Sequence, residues 1–342
     1  MAKRIRREIV IDGRKHWITA YTEQEYANKL MAMIDSPETQ KEQHPFGEFT
    51  WNWYQVFSKP HVEIATAQRY EKALKNHVMP VLGELMLEEI KPTHIQQLFN
   101  RMDTAKETKI KTRNILNMIF EQALEEEIIE KNPLRSRSIR ISGRPSKVTQ
   151  PYTVTQMRFL VQSIDKLSHP ADQRFFALHA LHPLRLEEAL GLQWQDIDLE
   201  NHLLHIERAV THPTRNEPYI KPPKTEASRR TIHLALQIAV YLTGGMPTHF
   251  ILGGEKPLTY TQTIKMYRRI QRETQFEETI SPRRFRTTVL TDLYDTTRDI
   301  KLAQMSAGHT TAAMTLKHYV KGRNEEKNTA LPVANLYGLT DS

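Results

Sequence analysis

The feature that most limits how this chain can fold is the helical pattern of residues 46 to about 131. Apolar residues recur there at spacings of three and four, which marks one buried face on each helix. Pro60, Pro80, Gly83 and Pro92 punctuate the pattern. The pattern predicts a compact four-helix domain at residues 45–131. The chain has 342 residues, more than one core usually holds, so we expect further domains.

The segment before this domain, residues 1–44, is predicted to be a small basic unit. It contains two β-prone runs around Asp12 and Gly13, a pair that suits a tight hairpin turn. A helical pattern follows, and Thr22 with Glu25 fits a capping box at its start. Positive charge is concentrated on Lys3, Arg4, Arg6, Arg7, Arg14 and Lys15. Such a hairpin could bind in a DNA groove. The sequence is equally consistent with a cationic edge strand that only faces solvent.

A basic linker is predicted at residues 132–150. Between Lys131 and Gln150 the chain has no acidic residue, and its cations are Lys131, Arg135, Arg137, Arg140, Arg144 and Lys147. A flexible cationic joint between two folded units is what a clamp around a duplex needs. A merely soluble hinge is the alternative, but the absence of acids favours contact with phosphates.

The pattern becomes mixed from residue 151 onward. Helical segments at TVTQMRFLVQSI and RFFALHALHPLRLEEALGL precede three short strand-like runs, HLLHIERAV, EPYIKPPKT and RRTIHLAL, and helices then resume. We therefore predict a mixed domain at residues 151–325, followed by a tail at 326–342.

Composition narrows the class of protein. The net charge is +8 and the pI about 9.4, which favours a polyanionic partner, although many basic proteins bind no nucleic acid. The chain has no cysteine, which excludes disulfides and thiolate metal sites and agrees with a cytoplasmic location. The sequence contains no run of about 18 uncharged apolar residues, so no membrane span is expected. The basic start lacks the apolar core of a signal peptide.

Several side chains of the mixed domain are weak signals one at a time. Arg185 lies three residues before Glu188, a spacing typical of a surface ion pair, and Lys224 lies at an expected turn between strands. Arg283, Arg284 and Arg286 follow Pro282 at the start of a predicted helix, where they oppose the helix dipole unless an anion binds there. His309 and Tyr319 follow near the end, and a lone tyrosine is most often a packing residue.

Attack of a tyrosine phenol on a DNA phosphodiester would use this whole set. Guanidinium forks stabilise the charge that develops on the nonbridging oxygens. A lysine on a mobile turn can give the departing 5′-oxygen its proton. The resulting phosphotyrosine conserves the bond energy for rejoining, so no ATP is needed.

These stretches, in this order, resemble the signature boxes of the tyrosine recombinase (phage integrase) family, of the mobile-element integrase type. HPLRLEE supplies Arg185, PKTEASRRTI supplies Lys224, RRFRTT supplies Arg286, AGH supplies His309 and MTLKHY supplies Tyr319. The resemblance extends over most of the chain. Residues 1–44 resemble arm-site-binding modules, and residues 45–131 resemble the SAM-like core-binding domain.

The resemblance implies a mainly α fold with small β-sheets (α+β), built as a multidomain C-shaped DNA clamp with a catalytic domain at 151–325. It implies site-specific cutting and rejoining of DNA through a 3′-phosphotyrosine, to integrate or excise a phage or mobile element, with no metal or other cofactor. Arg185, Arg286 and His309 would hold the phosphate, Lys224 would be the general acid and Tyr319 the nucleophile. The implied partners are double-stranded DNA with attachment-type sites and three further copies in a homo-tetramer, and the resemblance also allows for a directionality or host DNA-bending factor. The tail would pack on a neighbouring subunit, with packing in cis as the alternative.

Two departures from the family pattern concern the arginines. The usual histidine is replaced by Arg283, which stays charged at working pH and cannot accept a proton. Pro183 replaces a glycine ahead of Arg185, and Thr287 replaces a histidine after Arg286. We expect Arg283 to hold a phosphate oxygen or to orient the tyrosine.

Two other functions remain open on sequence. A type IB topoisomerase shares this chemistry without pairing two sites, although the basic N-terminal unit and the long tail favour a recombinase. A DNA-binding regulator could keep the fold without catalysis, against which the full set of arginines, lysine and tyrosine argues. His179 and His182 lie at helical spacing, but packing histidines are expected here rather than metal ligands.

Overall fold

The chain divides into two units, residues 1–146 and 147–342, in the computed structural model. The structure describes residues 4–11, 14–34, 43–223 and 225–319. The prediction of a mainly helical chain with small sheets is confirmed. Within these described ranges, no helix is both long enough and apolar enough to cross a bilayer.

The first unit begins with the predicted hairpin. Strands β1 (Ile5–Ile11) and β2 (Arg14–Ala20) pair antiparallel, from Ile5 opposite Ala20 to Ile11 opposite Arg14. Helix α1 (Glu23–Ile34) covers one face, where Ile18, Ala20 and Tyr26 form a small core. The Asp12–Gly13 turn lies outside the described residues.

The capping box at the start of α1 is shifted by one residue from the predicted form. The Glu25 N–H donates to the Thr22 hydroxyl at 3.1 Å, as predicted. The Glu25 carboxylate, in return, accepts from the N–H of Tyr21 at 2.8 Å. The first bond satisfies an N–H group that the first helical turn leaves without a partner, and the second connects Tyr21, which precedes the helix, to that turn.

Residues 46–125 form four helical segments. These are α2 (Phe46–Trp53) with a continuation to Ser58, α3 (Ile64–Ala73) joined through residues 74–78 to α4 (Met79–Leu82), α5 (Pro92–Arg101) and α6 (Lys106–Glu125). Pro92 lies in the first turn of α5, where a missing N–H costs nothing, whereas Pro80 follows directly on the helical residues 74–78. The shared core contains Phe46, Trp53, Leu74, Ile95, Leu98, Leu116 and Phe120.

The segment after α6 differs from the flexible joint that its composition indicated. Leu134 is buried, and Ile139 and Ile141 pack against the core of the helical segments. The Lys106 N–H donates to the Arg144 carbonyl at 3.0 Å. The apolar side chains hold the segment against the first unit as far as residue 141, because their burial offsets the entropy of ordering it, and the backbone hydrogen bond extends this contact to residue 144.

The second unit begins with three helices and two small sheets. Helices α7 (Val154–Gln162), α8 (Pro170–Leu181) and α9 (Leu186–Gly191) precede the strands. Strands β3 (Ile197–Asp198), β4 (Leu203–Ile206) and β7 (Arg230–His233) form one antiparallel sheet, and β5 (Ala209–Thr211) with β6 (Tyr219–Lys221) forms another. The single strand expected at HLLHIERAV is therefore wrong, since that run divides into β4 and β5.

Four helices complete the described part of this unit. They are α10 (Tyr260–Thr274), α11 (Pro282–Thr297), α12 (Ile300–Ala307) and α13 (Ala312–Tyr319). Helix α8 runs through the core, with Phe175, Phe176 and Leu178 fully buried. Helix α12 packs against α11, α13 and β7. This packing brings the start of α11 and the end of α12 to the turn between α8 and α9.

Candidate active site

A buried carboxylate organises the arginines of the second unit. Glu188 lies in the first turn of α9, with its side chain 3% exposed. Its carboxylate accepts the backbone N–H of Arg185 at 2.8 Å and the Arg185 Nη1 at 2.5 Å. Arg230 donates to the same carboxylate through Nη1 and Nη2, both at 3.1 Å. The pair of Arg185 and Glu188 therefore differs from the surface ion pair for which this spacing is typical, because its carboxylate is buried.

A third guanidinium completes this cluster. The Nη1 of Arg286 lies 3.9 Å from the Glu188 carboxylate, so three cations share one anion. Burial alone would raise the pKa of Glu188, but the charges of Arg230, Arg185 and Arg286 outweigh it and lower that pKa to about 2. The carboxylate therefore stays ionised at neutral pH. It holds the arginines in place and leaves the cluster with net positive charge.

Arg286 is fixed by backbone groups on both sides. Its Nη1 donates to the Pro183 carbonyl at 2.5 Å, in the turn before α9, and its Nη2 donates to the Ala307 carbonyl at 2.7 Å, in the last turn of α12. The side chain is only 6% exposed. Pro183, which departs from the family pattern, thus contributes its carbonyl to holding the second arginine.

His309 follows directly on the end of α12. Gly308 ends that helix with a φ of +62°, and an added Cβ would lie 2.9 Å from the Ala227 carbonyl oxygen and 3.0 Å from Arg230 Nη1. Gln304 then binds His309 twice: its carbonyl accepts the His309 N–H at 3.1 Å, and its side-chain amide donates to the His309 carbonyl at 3.0 Å. The ring lies with Nε2 3.1 Å from Arg286 Nη2 and Nδ1 2.9 Å from the Thr315 hydroxyl.

The predicted residues Arg185, Arg283, Arg286 and His309 border one open cavity of about 380 Å³. Arg283 is exposed on its rim. Arg284, from the same turn of α11, is directed elsewhere: it stacks over the Tyr152 ring at 4.0 Å, donates to the Gln150 carbonyl at 3.1 Å and pairs with Glu278. The cluster of arginines at this helix start therefore has two different uses.

Two of the predicted residues are only partly covered by the structure. Lys224 lies outside the described residues. Its neighbours Pro223 and Thr225 line a second cavity of about 460 Å³, together with Arg185 and Gly308. Tyr319 is the last residue of α13, and its side chain is not among those described. Since α13 packs against α11 and α12, the end of this helix belongs to the same part of the unit.

The predicted DNA-contact residues of the hairpin are partly engaged within it. The Arg6 guanidinium lies 4.6 Å from the centre of the Trp17 ring, Arg7 pairs with Glu23 at 2.7 Å, and Lys15 pairs with Glu8 at 2.8 Å. Arg4 is exposed, and the side chain of Arg14 is outside the description.

The cations of the basic linker have acidic neighbours that the local sequence does not reveal. Arg135 pairs with Glu121 at 2.6 Å, and Arg144 pairs with Asp103 at 3.2 Å. Arg137, Arg140 and Lys147 are also exposed. The positive charge there is therefore smaller than the acid-free stretch indicated, although exposed ion pairs of this kind contribute little and can be exchanged for phosphate contacts.

His179 in α8 and His182 directly after it are packing residues, as predicted. His179 Nδ1 bonds to the Phe175 carbonyl and His182 Nδ1 to the Leu178 carbonyl, both at 3.0 Å. The Ala235 N–H donates to His182 Nε2 at 3.1 Å. Burial lowers the pKa of His179 to about 4, so its ring is neutral at pH 7.

Three residues of this site were missed by sequence reasoning. Arg230 belongs to the PKTEASRRTI stretch, but nothing local distinguishes it from Arg229 next to it, which is exposed and pairs with Glu207. Gln304 and Thr315 are ordinary helix residues in sequence. Their contacts with His309 span only five and six residues, but nothing in these residue types marks them.

Comparison with known families and sequences gives a consistent result. The model of the phage integrase family matches residues 152–326, and that of the phage integrase N-terminal SAM-like domain matches residues 45–102. A putative prophage phiRv2 integrase of Mycobacterium tuberculosis is 24% identical over 215 residues, which are 63% of this chain and 55% of that protein. This chain thus spans little more than half the length of that relative.

Solved structures of similar fold include two DNA complexes. The Tn1549 transposon integrase with transposon right end DNA matches 86% of this chain and 99% of its own, with a TM-score of 0.69 and 19% identity. A lambda integrase tetramer bound to a Holliday junction matches 93% of both chains, with a TM-score of 0.59 and 17% identity. At this level of identity the likeness establishes the fold.

Proposed function

This chain belongs to the phage integrase family, and we propose that it is a site-specific recombinase that cuts and rejoins DNA through a tyrosine. The observation that carries the proposal is that Arg185, Arg286 and His309 line one cavity, with both arginines held beside the buried Glu188. Fixed guanidinium groups beside an open cavity can bind a phosphodiester, because its nonbridging oxygens accept hydrogen bonds from the guanidinium N–H groups. The double-stranded substrate is an attachment-type site of a phage or mobile element.

The proposed reaction exchanges one phosphodiester bond for another. The phenol oxygen of Tyr319 forms a bond to phosphorus, and the bond from phosphorus to the 5′-oxygen breaks. Lys224 gives its proton to that oxygen, so that a 5′-hydroxyl leaves and a 3′-phosphotyrosine remains. A 5′-hydroxyl from the partner duplex then attacks phosphorus and releases the tyrosine, which reverses the step.

Arg185 and Arg286 contribute most by being rigid before the DNA arrives. Both are tied to Glu188 or to backbone carbonyls, so little reorganisation is needed when charge develops on the phosphate. His309 shares the cavity, and its Nε2 lies against Arg286.

Arg283 has a positioning role in this proposal. It stays protonated, so it holds a phosphate oxygen or orients the tyrosine and takes no proton. If Arg283→His raised the cleavage rate and introduced a titration at about pH 6–7, the positioning role would be incomplete.

The proposed assembly is a homo-tetramer on paired sites, which the lambda integrase tetramer bound to a Holliday junction supports. DNA contacts are assigned to the cations of the hairpin and linker, and a directionality or host DNA-bending factor would select integration or excision. The tail at 326–342 lies outside the described residues. Its apolar residues Leu331, Val333, Leu336 and Tyr337 are proposed to dock on a neighbouring subunit, and deletion after Asn328 that leaves synapsis and strand exchange intact would refute this.

A suicide duplex with a nick near the cleavage position tests the central proposal. The wild type should accumulate a covalent protein–DNA adduct because the short released strand diffuses away, and Tyr319→Phe should form none. Exchange of strands between two different duplexes indicates a recombinase, and relaxation of supercoils alone indicates a topoisomerase-like enzyme. A wild type that binds DNA but forms no adduct is a regulator, and the proposal is then wrong.

A further inference from the structure

Two hydroxyl groups are hydrogen-bonded to each other just after the position of the proposed general acid. Thr225 follows Lys224 in the sequence, and Thr225 Oγ1 lies 2.9 Å from Ser228 Oγ. The Ser228 N–H also donates to the Thr225 carbonyl at 2.9 Å. Ser228 is only 5% exposed, whereas Thr225 is exposed to solvent. The hydroxyl pair therefore connects a surface residue to one that is fixed by packing.

The Thr225 hydroxyl is used in an uncommon way for its position. Thr225 has an extended backbone and precedes a short 3₁₀ turn at Glu226–Ser228, where a threonine usually accepts a backbone N–H. Its side chain makes no such bond and pairs with the Ser228 hydroxyl instead. Because a threonine side chain is stiff about its first torsion, holding the hydroxyl also restrains the backbone of residue 225.

The Ser228 end of this pair belongs to the buried arginine network. Arg230 Nη1 donates to the Ser228 carbonyl at 3.1 Å, and Arg230 Nε donates to the Ser306 carbonyl in α12 at 2.9 Å. The same guanidinium binds both carboxylate oxygens of Glu188, which also binds Arg185. The hydroxyl pair thus extends this network by one turn, to the residue that follows position 224.

Both sequence neighbours of Lys224 border the cavity that Arg185 lines. Pro223, Thr225 and Ser228 line this space of about 460 Å³ together with Arg185. A general acid must come within hydrogen-bond reach of the oxygen that it protonates. Lysine has a long, flexible side chain, so a restraint on the adjoining backbone reduces the freedom that is lost when it reaches that oxygen.

We propose that Ser228 and Thr225 are positioning residues for the general acid, because their hydroxyl pair ties the chain next to Lys224 to the arginine cluster. This inference rests on the proposed function. Neither hydroxyl takes part in the proton transfer, and the arginines bind the phosphate without them. Loss of the pair therefore slows protonation of the leaving oxygen and leaves DNA affinity unchanged.

Variants of the full-length protein remove or keep the hydroxyl pair. Ser228→Ala removes the buried hydroxyl, Thr225→Val removes the exposed one, and Thr225→Ser keeps it. The double variant Ser228→Ala/Thr225→Val completes a double-mutant cycle. The matched control is Ser163→Ala, because Ser163 is also buried and its hydroxyl donates at 2.8 Å to the Phe159 carbonyl of α7.

Two versions of the nicked duplex separate the general acid from the rest of the site. One has the natural 5′-oxygen at the scissile bond, and the other has sulfur in its place. A 5′-thiolate leaves without receiving a proton, so a defect that is confined to the general acid disappears on the thio substrate. Single-turnover adduct formation gives the cleavage rate constant, and titration of the same DNA into each protein gives Kd.

The expected defect is confined to the oxygen substrate. Ser228→Ala and Thr225→Val should cleave it about five- to tenfold more slowly than the wild type, the effect of one lost orienting hydrogen bond. The double variant should be within about twofold of the slower single variant, since both changes remove the same bond. On the thio substrate all three should cleave within about twofold of the wild type, and Lys224→Ala should also be restored there.

The remaining measurements exclude a general loss of function. Thr225→Ser and Ser163→Ala should cleave both substrates within about twofold of the wild type, because each keeps the hydroxyl pair. Kd should stay within about twofold for every variant, since the phosphate contacts are unchanged. Should Ser228→Ala fail to fold in thermal unfolding, Thr225→Val tests the same bond from the exposed side.

Each contrary outcome has its own meaning. If the wild type forms no adduct, the proposed function fails and this inference fails with it. If the thio substrate does not restore Lys224→Ala, the assignment of the general acid fails, and the positioning role falls with that assignment. If the wild type is active and Lys224→Ala is restored, two results overturn the positioning role alone. One is a wild-type rate in both Ser228→Ala and Thr225→Val, and the other is a defect that persists on the thio substrate.

Discussion

Glu188→Gln is the change that most directly tests how the cluster of arginines is held together. The substitution keeps the shape of the side chain but removes the anion that Arg185, Arg230 and Arg286 share. Arg230 is only 7% exposed, so it would be left as a buried cation without a counter-charge. The amide would also direct an N–H at one of these donors. We expect the second unit to lose stability.

The pKa of Glu188 gives the magnitude. The gap between its usual value of 4.5 and its value of about 2, at roughly 1.4 kcal/mol per pH unit, corresponds to about 3 kcal/mol of folding free energy at neutral pH. For a unit of this size, each kcal/mol lowers Tm by about 2–4 °C, so a fall of roughly 6–12 °C is expected.

The pH dependence provides an independent check with a fixed sign. A depressed carboxylate pKa stabilises the folded state fully above about 4.5, and this stabilisation is lost as the pH falls toward about 2. The difference in unfolding free energy between the wild type and Glu188→Gln should therefore be constant above about pH 5. It should narrow by about 1.4 kcal/mol per pH unit below about 4.5, since protonation makes the wild type resemble the variant.

Differential scanning calorimetry at pH 7 and urea unfolding between pH 7 and pH 3 would measure both effects. Glu187→Gln is the control, because it makes the same charge change on the exposed neighbouring residue and should stay within about 0.5 kcal/mol of the wild type. A Glu188→Gln protein as stable as this control at pH 7, or a difference that does not narrow in acid, would refute the reasoning.

Three further predictions concern residues around the cluster. Burial lowers the pKa of His179 from 6.5 to about 4, so between these pH values only the unfolded chain takes up a proton at this residue, and the wild type loses stability as the pH falls. In urea titrations, His179→Leu should lose up to about 3 kcal/mol less unfolding free energy than the wild type between pH 6.5 and 4. Gly308→Ala should cost about 1–3 kcal/mol in thermal unfolding and slow adduct formation, because φ is +62° and the new Cβ would lie 2.9 Å from a carbonyl oxygen. Arg284→Ala should lower Tm, since it loses the contacts with Tyr152 and Gln150, yet cleave at the wild-type rate when folded. Arg283→Ala should slow cleavage and leave Tm unchanged. Equal effects of both changes on the cleavage rate would contradict the different uses of the two arginines.

Local chemistry made much of the fold predictable. The helical spacing at residues 46–131, Pro282 at a helix start and the β-prone runs around residue 12 are local features, and each led to the element that the structure contains. The order of the boxes around Arg185, Arg286 and His309 pointed to one site, which the structure gathers around a single cavity.

The character of that site was decided by tertiary structure alone. The i, i+3 spacing of Arg185 and Glu188 is typical of a surface ion pair. The packing of α9 instead buries the Glu188 carboxylate and brings Arg230 to it from 42 residues away in the sequence. The three arginines at the start of α11 look alike in sequence, although one is buried in the cluster, one stacks on Tyr152 and one lies exposed at the cavity rim. A residue pattern records which side chains lie near one another along the chain. Burial and the meeting of distant elements set the charge, the hydrogen-bond partner and the tautomer of each group, and these exist only once the chain has folded.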